Sequence, residues 1–129
     1  MHDKRRLKRA LLIERVRTVE KGRAARASAD AEALSSRLQG VAEKTRLLAQ
    51  HYAVSDGLAT AADLRRQIAM RQQLHSLSAM NDTHLKDARQ RADSALTELG
   101  SAERKRARSE TDRRDLERHA VDRKFSGAS

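Results

Sequence analysis

Between Ala53 and Thr60 the chain reads Ala-Val-Ser-Asp-Gly-Leu-Ala-Thr, the one point at which a helical periodicity running through the rest of the sequence stops. Asp56-Gly57 is a turn dipeptide, its glycine free to take positive φ. Thr60 followed by Asp63 resembles a capping box, with the hydroxyl able to accept from the orphan N–H groups of a new helix. No proline interrupts the chain on either side. Two long helices joined by a short loop fold back on one another. The expected fold is all-α: two long helices in one antiparallel coiled-coil hairpin, with a helix over about 5–52, a turn at 53–60 and a helix over about 61–124.

The apolar spacing gives each helix a seam. In the first, Leu34, Leu38, Val41, Thr45, Leu48 and Tyr52 alternate by four and three, the a/d positions of a heptad. The pattern extends back through Ala31, Ala27 and Ala24, whereas Leu12, Val16 and Val19 join it only after a phase slip near Gly22. In the second, the seam runs through Met70, Leu74, Leu77 and Asn81, then Leu85, Ala88, Ala92, Ala95, Leu99 and Ala102. Beyond Arg106 only Leu116, Ala120 and Val121 remain among charges, and this stretch is expected to fray or to depend on a partner. Gly22, Gly40 and Gly100, isolated inside helices, read as bends or close-packing points.

A turn centred on Asp56-Gly57 predicts that facing residues carry numbers adding to about 113, so that Leu48 meets Leu64 and Leu38 meets Leu74. At 1.5 Å per residue the helices would span roughly 70 and 95 Å, the second overhanging the first by about ten to fifteen residues.

Composition decides what such a hairpin can do. Charged residues make up 36% of the chain, with one Phe, one Tyr and no Trp, which suits a narrow helical seam and not a globular core. Cysteine is absent, which excludes disulfides and thiol chemistry. No apolar run approaches the ~20 residues of a membrane span, nor does the start contain the apolar stretch of a secretory signal, so a cytoplasmic location is expected. His2, His51, His75, His84 and His119 form no metal-binding spacing, and no glycine-rich phosphate loop is present. The carboxylates alternate with Lys and Arg at helical spacing, as in the pair Glu110 and Arg114. A two-helix rod encloses no pocket for a catalytic pair. The expected protein is not an enzyme and takes no cofactor, metal or small-molecule substrate.

The net charge of +10 is unevenly spread: residues 1–26 carry +7, residues 27–102 are neutral and residues 103–129 carry +3. Lys4, Arg5, Arg6, Lys8 and Arg9, with Arg104, Lys105, Arg106, Arg108, Arg113 and Arg114, define a basic end suited to an acidic partner. Nucleic acid is a poor candidate for that partner, because aromatic residues for base stacking are nearly lacking. The second candidate surface is the turn-side stretch with Tyr52, Met70, Leu74 and Leu77, residue types enriched in interface cores or able to plug a widened seam.

Four stretches resemble the FliJ family of flagellar type III export proteins: Lys8-Arg-Ala-Leu-Leu-Ile-Glu-Arg-Val-Arg-Thr-Val-Glu20, Leu47-Leu-Ala-Gln-His-Tyr52, Ala61-Ala-Asp-Leu-Arg-Arg-Gln-Ile-Ala-Met-Arg-Gln-Gln-Leu74, and Glu103-Arg-Lys-Arg-Ala-Arg108. The resemblance covers most of the chain and implies a stalk-like component of the export apparatus that serves flagellar motility. It implies that the paired basic termini enter the ring of a hexameric export ATPase at the cytoplasmic face of the inner membrane. It further implies contacts with export chaperones and, through Tyr52, Met70, Leu74 and Leu77, with a membrane-embedded export gate. Two other readings stay open: a nucleic-acid-associated basic coiled coil, whose retention on DNA would fall steeply with salt, and a structural scaffold pairing two hairpins.

Overall fold

The computed structural model describes residues 2–53 and 60–127. It is an all-α hairpin of two helices, α1 (His2–Ala53) and α2 (Ala61–Gly127). The Asp56-Gly57 turn lies outside the described residues. Thr60 caps α2 as its sequence implies: its Oγ1 accepts from the Asp63 N–H at 3.1 Å and its carbonyl from the Leu64 N–H at 3.2 Å.

Each helix contributes to two compact units, one built from Met1–Ala29 with Ser94–Ser129 and the other from Asp30–Asp93. In the first, Glu14 pairs with Arg113 and Asp3 with Arg123. In the second, the Asn81 Nδ2 donates to Thr45 Oγ1 at 2.9 Å. Partner numbers rise on α1 as they fall on α2, which makes the helices antiparallel in each unit.

Those same pairs correct the expected register. Facing numbers add to about 126, nearly two heptads from the sequence estimate. Leu48 therefore does not meet Leu64, nor Leu38 Leu74. The reversal is not symmetric about Asp56-Gly57. Tyr52, next to last in α1, presents its carbonyl to Gln67 Nε2 at 2.9 Å and Arg71 Nε at 3.0 Å, so α2 has already run more than a turn when it meets the end of α1. The overhang at the termini disappears with the old register, since Asp3 and Arg123 are paired. The stretch beyond Arg106, expected to fray, continues as helix to Gly127 and is tied to α1 by the Glu14 and Asp3 ion pairs.

On α1 the expected Ala24, Ala31, Leu38, Thr45 and Tyr52 do line the seam, while the alternate positions sit one residue beyond the expected ones. On α1 the inward positions run Asp3, Leu7, Ala10, Glu14, Arg17, Lys21, Ala24, Ser28, Ala31, Ser35, Leu38, Ala42, Thr45, Ala49 and Tyr52, alternating by four and three without a slip at Gly22. Leu34, Val41 and Leu48, placed on the seam from sequence, are 40%, 49% and 51% exposed. Leu12, Val16 and Val19 also face outward, and Ala27 gives way to Ser28. On α2 the expected Leu74, Asn81, Leu85, Ala88, Ala92, Ala95, Leu99 and Ala102 do line the seam, but Ser78 replaces Leu77 and Met70 lies outside. The reason is size. Ala and Ser take many of the contact positions, and Ala88, Ala92, Ser35 and Ser109 are among the buried residues. Small residues let two helix backbones approach closely, and bulkier neighbours in the adjacent heptad row are pushed out.

The glycines are not close-packing points at Gly22 and Gly40, where a built Cβ would meet nothing within 4 Å. At Gly100 it would lie 3.3 Å from the Arg104 Nη1, the far end of a flexible side chain. Among the described residues no helix is long and apolar enough to cross a membrane.

Candidate functional site

The basic surface begins with the first two turns of α1. Asp3, Leu7 and Ala10 take the inward positions, so Lys4, Arg5, Arg6, Lys8 and Arg9 between them are all exposed. None of the five makes an ion pair among the described residues, the nearest carboxylate in sequence, Asp3, being bound to Arg123. Five cations within six residues repel one another and attract an anionic partner.

The six α2 residues of the predicted basic end divide into two kinds. Arg104, Lys105 and Arg108 are exposed and likewise without an ion pair among the described residues. The other three are fasteners. Arg106, half-buried on the seam, donates to Glu110 at 3.1 Å and to Thr18 Oγ1 at 3.4 Å. Arg113 donates its Nε to Glu14 at 2.5 Å and its Nη1 to Glu117 at 3.0 Å. Those two carboxylates hold the guanidinium pKa above its ordinary value, against a smaller opposing effect of desolvation. Arg114 is exposed but donates to Glu110 at 2.6 Å. Arg106 and Arg113 thus serve the hairpin and are not free to meet a partner.

The corrected register also separates the two free groups. Arg106 is level with Thr18, so Arg104, Lys105 and Arg108 lie roughly 15–20 Å along the unit from Lys4–Arg9. Level with Lys4–Arg9 on α2 is Arg118, with Lys124 just beyond, both exposed. Sequence reasoning missed them because that stretch was expected to fray. Arg6, Arg9 and Ile13 border a groove shared with Asp112, Asp115 and His119, so this flank carries both signs of charge. Just beyond the basic turns, Leu11, Leu12, Ile13, Val16 and Val19 are exposed, Leu11 and Val19 bordering a separate groove with Arg15 and Thr18.

The four turn-side candidates are not brought together on one face. Leu74 is buried in the seam at 5% exposure and Tyr52 is half-buried, while Met70 and Leu77 point outward. Tyr52 makes an edge-to-face contact with His51, ring centroids 5.6 Å apart. Only Met70 and Leu77 offer apolar surface to a partner without opening the hairpin. Among the described residues no group of three or more His, Cys, Asp or Glu is placed to hold a metal ion.

No protein-family model, curated protein or solved structure matches the chain.

Proposed function

We propose that this chain is a non-enzymatic coiled-coil stalk that docks one end into an acidic socket of a larger assembly. The observation that carries the reading is the charge of the unit built from residues 1–29 and 94–129, which holds nineteen basic and ten acidic residues, the basic excess lying on its surface. The other unit holds nine and eight. The basic unit offers a stiff, charged pair of helices, the form of a part that transmits position between partners.

Following the resemblance of Lys8–Glu20 and Glu103–Arg108, the socket is the ring of a hexameric export ATPase at the cytoplasmic face of the inner membrane. Lys4, Arg5, Arg6, Lys8, Arg9, Arg104, Lys105 and Arg108 make the contact. Export chaperones and the export gate are the further partners of this reading, the gate contact falling to Met70 and Leu77.

The test is charge reversal of Arg5, Arg6, Arg104 and Arg108 together, leaving the fasteners Arg106 and Arg113 in place. Co-purification with a hexameric export ATPase, and stimulation of that ATPase, should be lost while helicity by circular dichroism is kept. Unchanged co-purification rejects the stalk reading. Tight, salt-sensitive retention of the unmodified protein on DNA would transfer the basic surface to a nucleic-acid partner.

A further inference from the structure

The outward side of α1 in the unit built from residues 1–29 and 94–129 carries a second heptad row. Arg5, Arg9, Leu12, Val16, Val19, Arg23 and Arg26 alternate by four and three, each two residues beyond a seam position and so on the side of α1 away from α2. All seven are exposed, the three apolar side chains at 53%, 55% and 53%. None of the four arginines makes an ion pair among the described residues. The carboxylates of residues 2–29 are all engaged elsewhere: Asp3 with Arg123, Glu14 with Arg113 and Glu20 with Arg17. Asp112 and Asp115 of α2 lie in the groove on one flank, which Arg9 also borders. The ridge is cationic at both ends and apolar between, over roughly 30 Å.

From these observations we infer that a helix of a partner protein lies along this ridge, with acidic residues at both ends of a heptad-spaced row and apolar residues between them. The inference rests on the docking reading, in which this unit meets an acidic partner, and names the element that meets α1. Charge complementarity selects the acidic ends, since Arg5, Arg9, Arg23 and Arg26 face outward with no carboxylate on the ridge to answer them. Spacing selects a helix. A row with the period of the seam keeps to one side of a supercoiled α1 over three heptads, so Leu12, Val16 and Val19 are placed as knobs for a third helix. A second copy of this chain does not fit, because arginines would meet arginines at both ends in either orientation. Residues 2–29 contain no Trp, Tyr or Phe to seat the ridge in a bilayer interface. A nucleic-acid backbone would answer the arginines and leave the apolar centre exposed.

The probe is a fluorescent helical peptide whose heptad row reads Glu-Glu-Leu-Leu-Leu-Glu-Glu on an Ala- and Gln-rich background. A second peptide of the same composition has these residues scattered round the helix. Titrated with the full chain and followed by anisotropy, the row peptide should bind at least about tenfold more tightly than the scattered one. Leu12→Asn with Val16→Asn, and separately Arg23→Glu with Arg26→Glu, should each weaken binding by about tenfold or more with helicity unchanged. Leu96→Asn, on exposed apolar surface of α2, should leave binding as it was. Equal binding of the two peptides, or binding that survives both pairs of substitutions, overturns the inference. So does binding to phosphatidylglycerol vesicles that is lost with Leu12→Asn and Val16→Asn, because the ridge then serves a lipid surface. None of these substitutions belongs to the charge reversal that tests the ATPase contact. Row-selective peptide binding together with unchanged ATPase co-purification keeps the helix partner and rejects the ring. No peptide selectivity, with co-purification lost on charge reversal, rejects the helix partner alone.

Discussion

Arg113 reaches across from α2 to Glu14 on α1 at 2.5 Å, while its second nitrogen holds Glu117 one turn further along its own helix. Both partners of the cross-helix pair are largely shielded, with side-chain exposures of 20% and 16%. The pair sits on the seam where a two-helix hairpin would ordinarily place leucine. It therefore sets which turn of α2 meets which turn of α1.

Arg113→Met should lower the melting temperature more than Arg114→Met, by about several degrees, because Arg114 is an exposed intrahelical partner. A double-mutant cycle with Glu14→Gln should show coupling. The pKa of Arg113 is raised on folding, so its contribution is complete below the ordinary guanidinium value and is lost only as pH rises above the folded value. Between pH 6 and 9, on the order of the physiological range, the Arg113→Met deficit should stay constant. A deficit that varied there would assign the effect to another group.

Asn81 and Thr45 join the helices by a 2.9 Å hydrogen bond at half-buried seam positions. A polar seam pair specifies register at a cost in stability. Asn81→Leu with Thr45→Val should raise the unfolding free energy by about 1 kcal/mol in urea titrations. The same variant should show more than one set of amide resonances around the two positions. A lower urea midpoint would contradict this account of the pair.

Thr60→Ala removes the acceptor for the Asp63 N–H and should cost about 1 kcal/mol. Hydrogen exchange should quicken in the first turn of α2, with Thr60→Ser restoring protection. Equal exchange in Thr60→Ala and the parent protein would show that the cap contributes nothing.

Gly22→Ala and Gly40→Ala should each stabilise the protein by about 1 kcal/mol, since the added methyl meets nothing within 4 Å and helical backbone favours alanine. Gly100→Ala displaces the Arg104 guanidinium and should gain less. Thermal melts of the three variants order them directly. Destabilisation at Gly40 would argue that this site bears on a surface covered by another molecule.

How the sequence was legible depends on which physical quantity each feature reports. Proline absence, the single break at 53–60 and the Thr60 cap are local, and they lead to two helices and a capped start for α2. Heptad spacing is also local, but it yields two parallel rows on α1 one residue apart, Leu34-Val41-Leu48 and Ser35-Ala42-Ala49, with identical period. Hydrophobicity selects the first row, while burial selects the second. The basic residues were legible as a cluster, and the ties of Arg106 and Arg114 to Glu110 follow helical spacing, whereas the tie of Arg113 to Glu14 depends on the other helix.

Sequence alone determined that this chain is a charged, proline-free pair of helices with its basic excess toward the termini, because helix propensity, capping and charge count are properties of neighbouring residues. Tertiary structure decided which row of each helix faces inward, which turn meets which, and therefore which cations stay free. Those choices rest on side-chain size and on pairs such as Glu14 with Arg113, separated by 99 residues, whose energy exists only once the two helices are in contact.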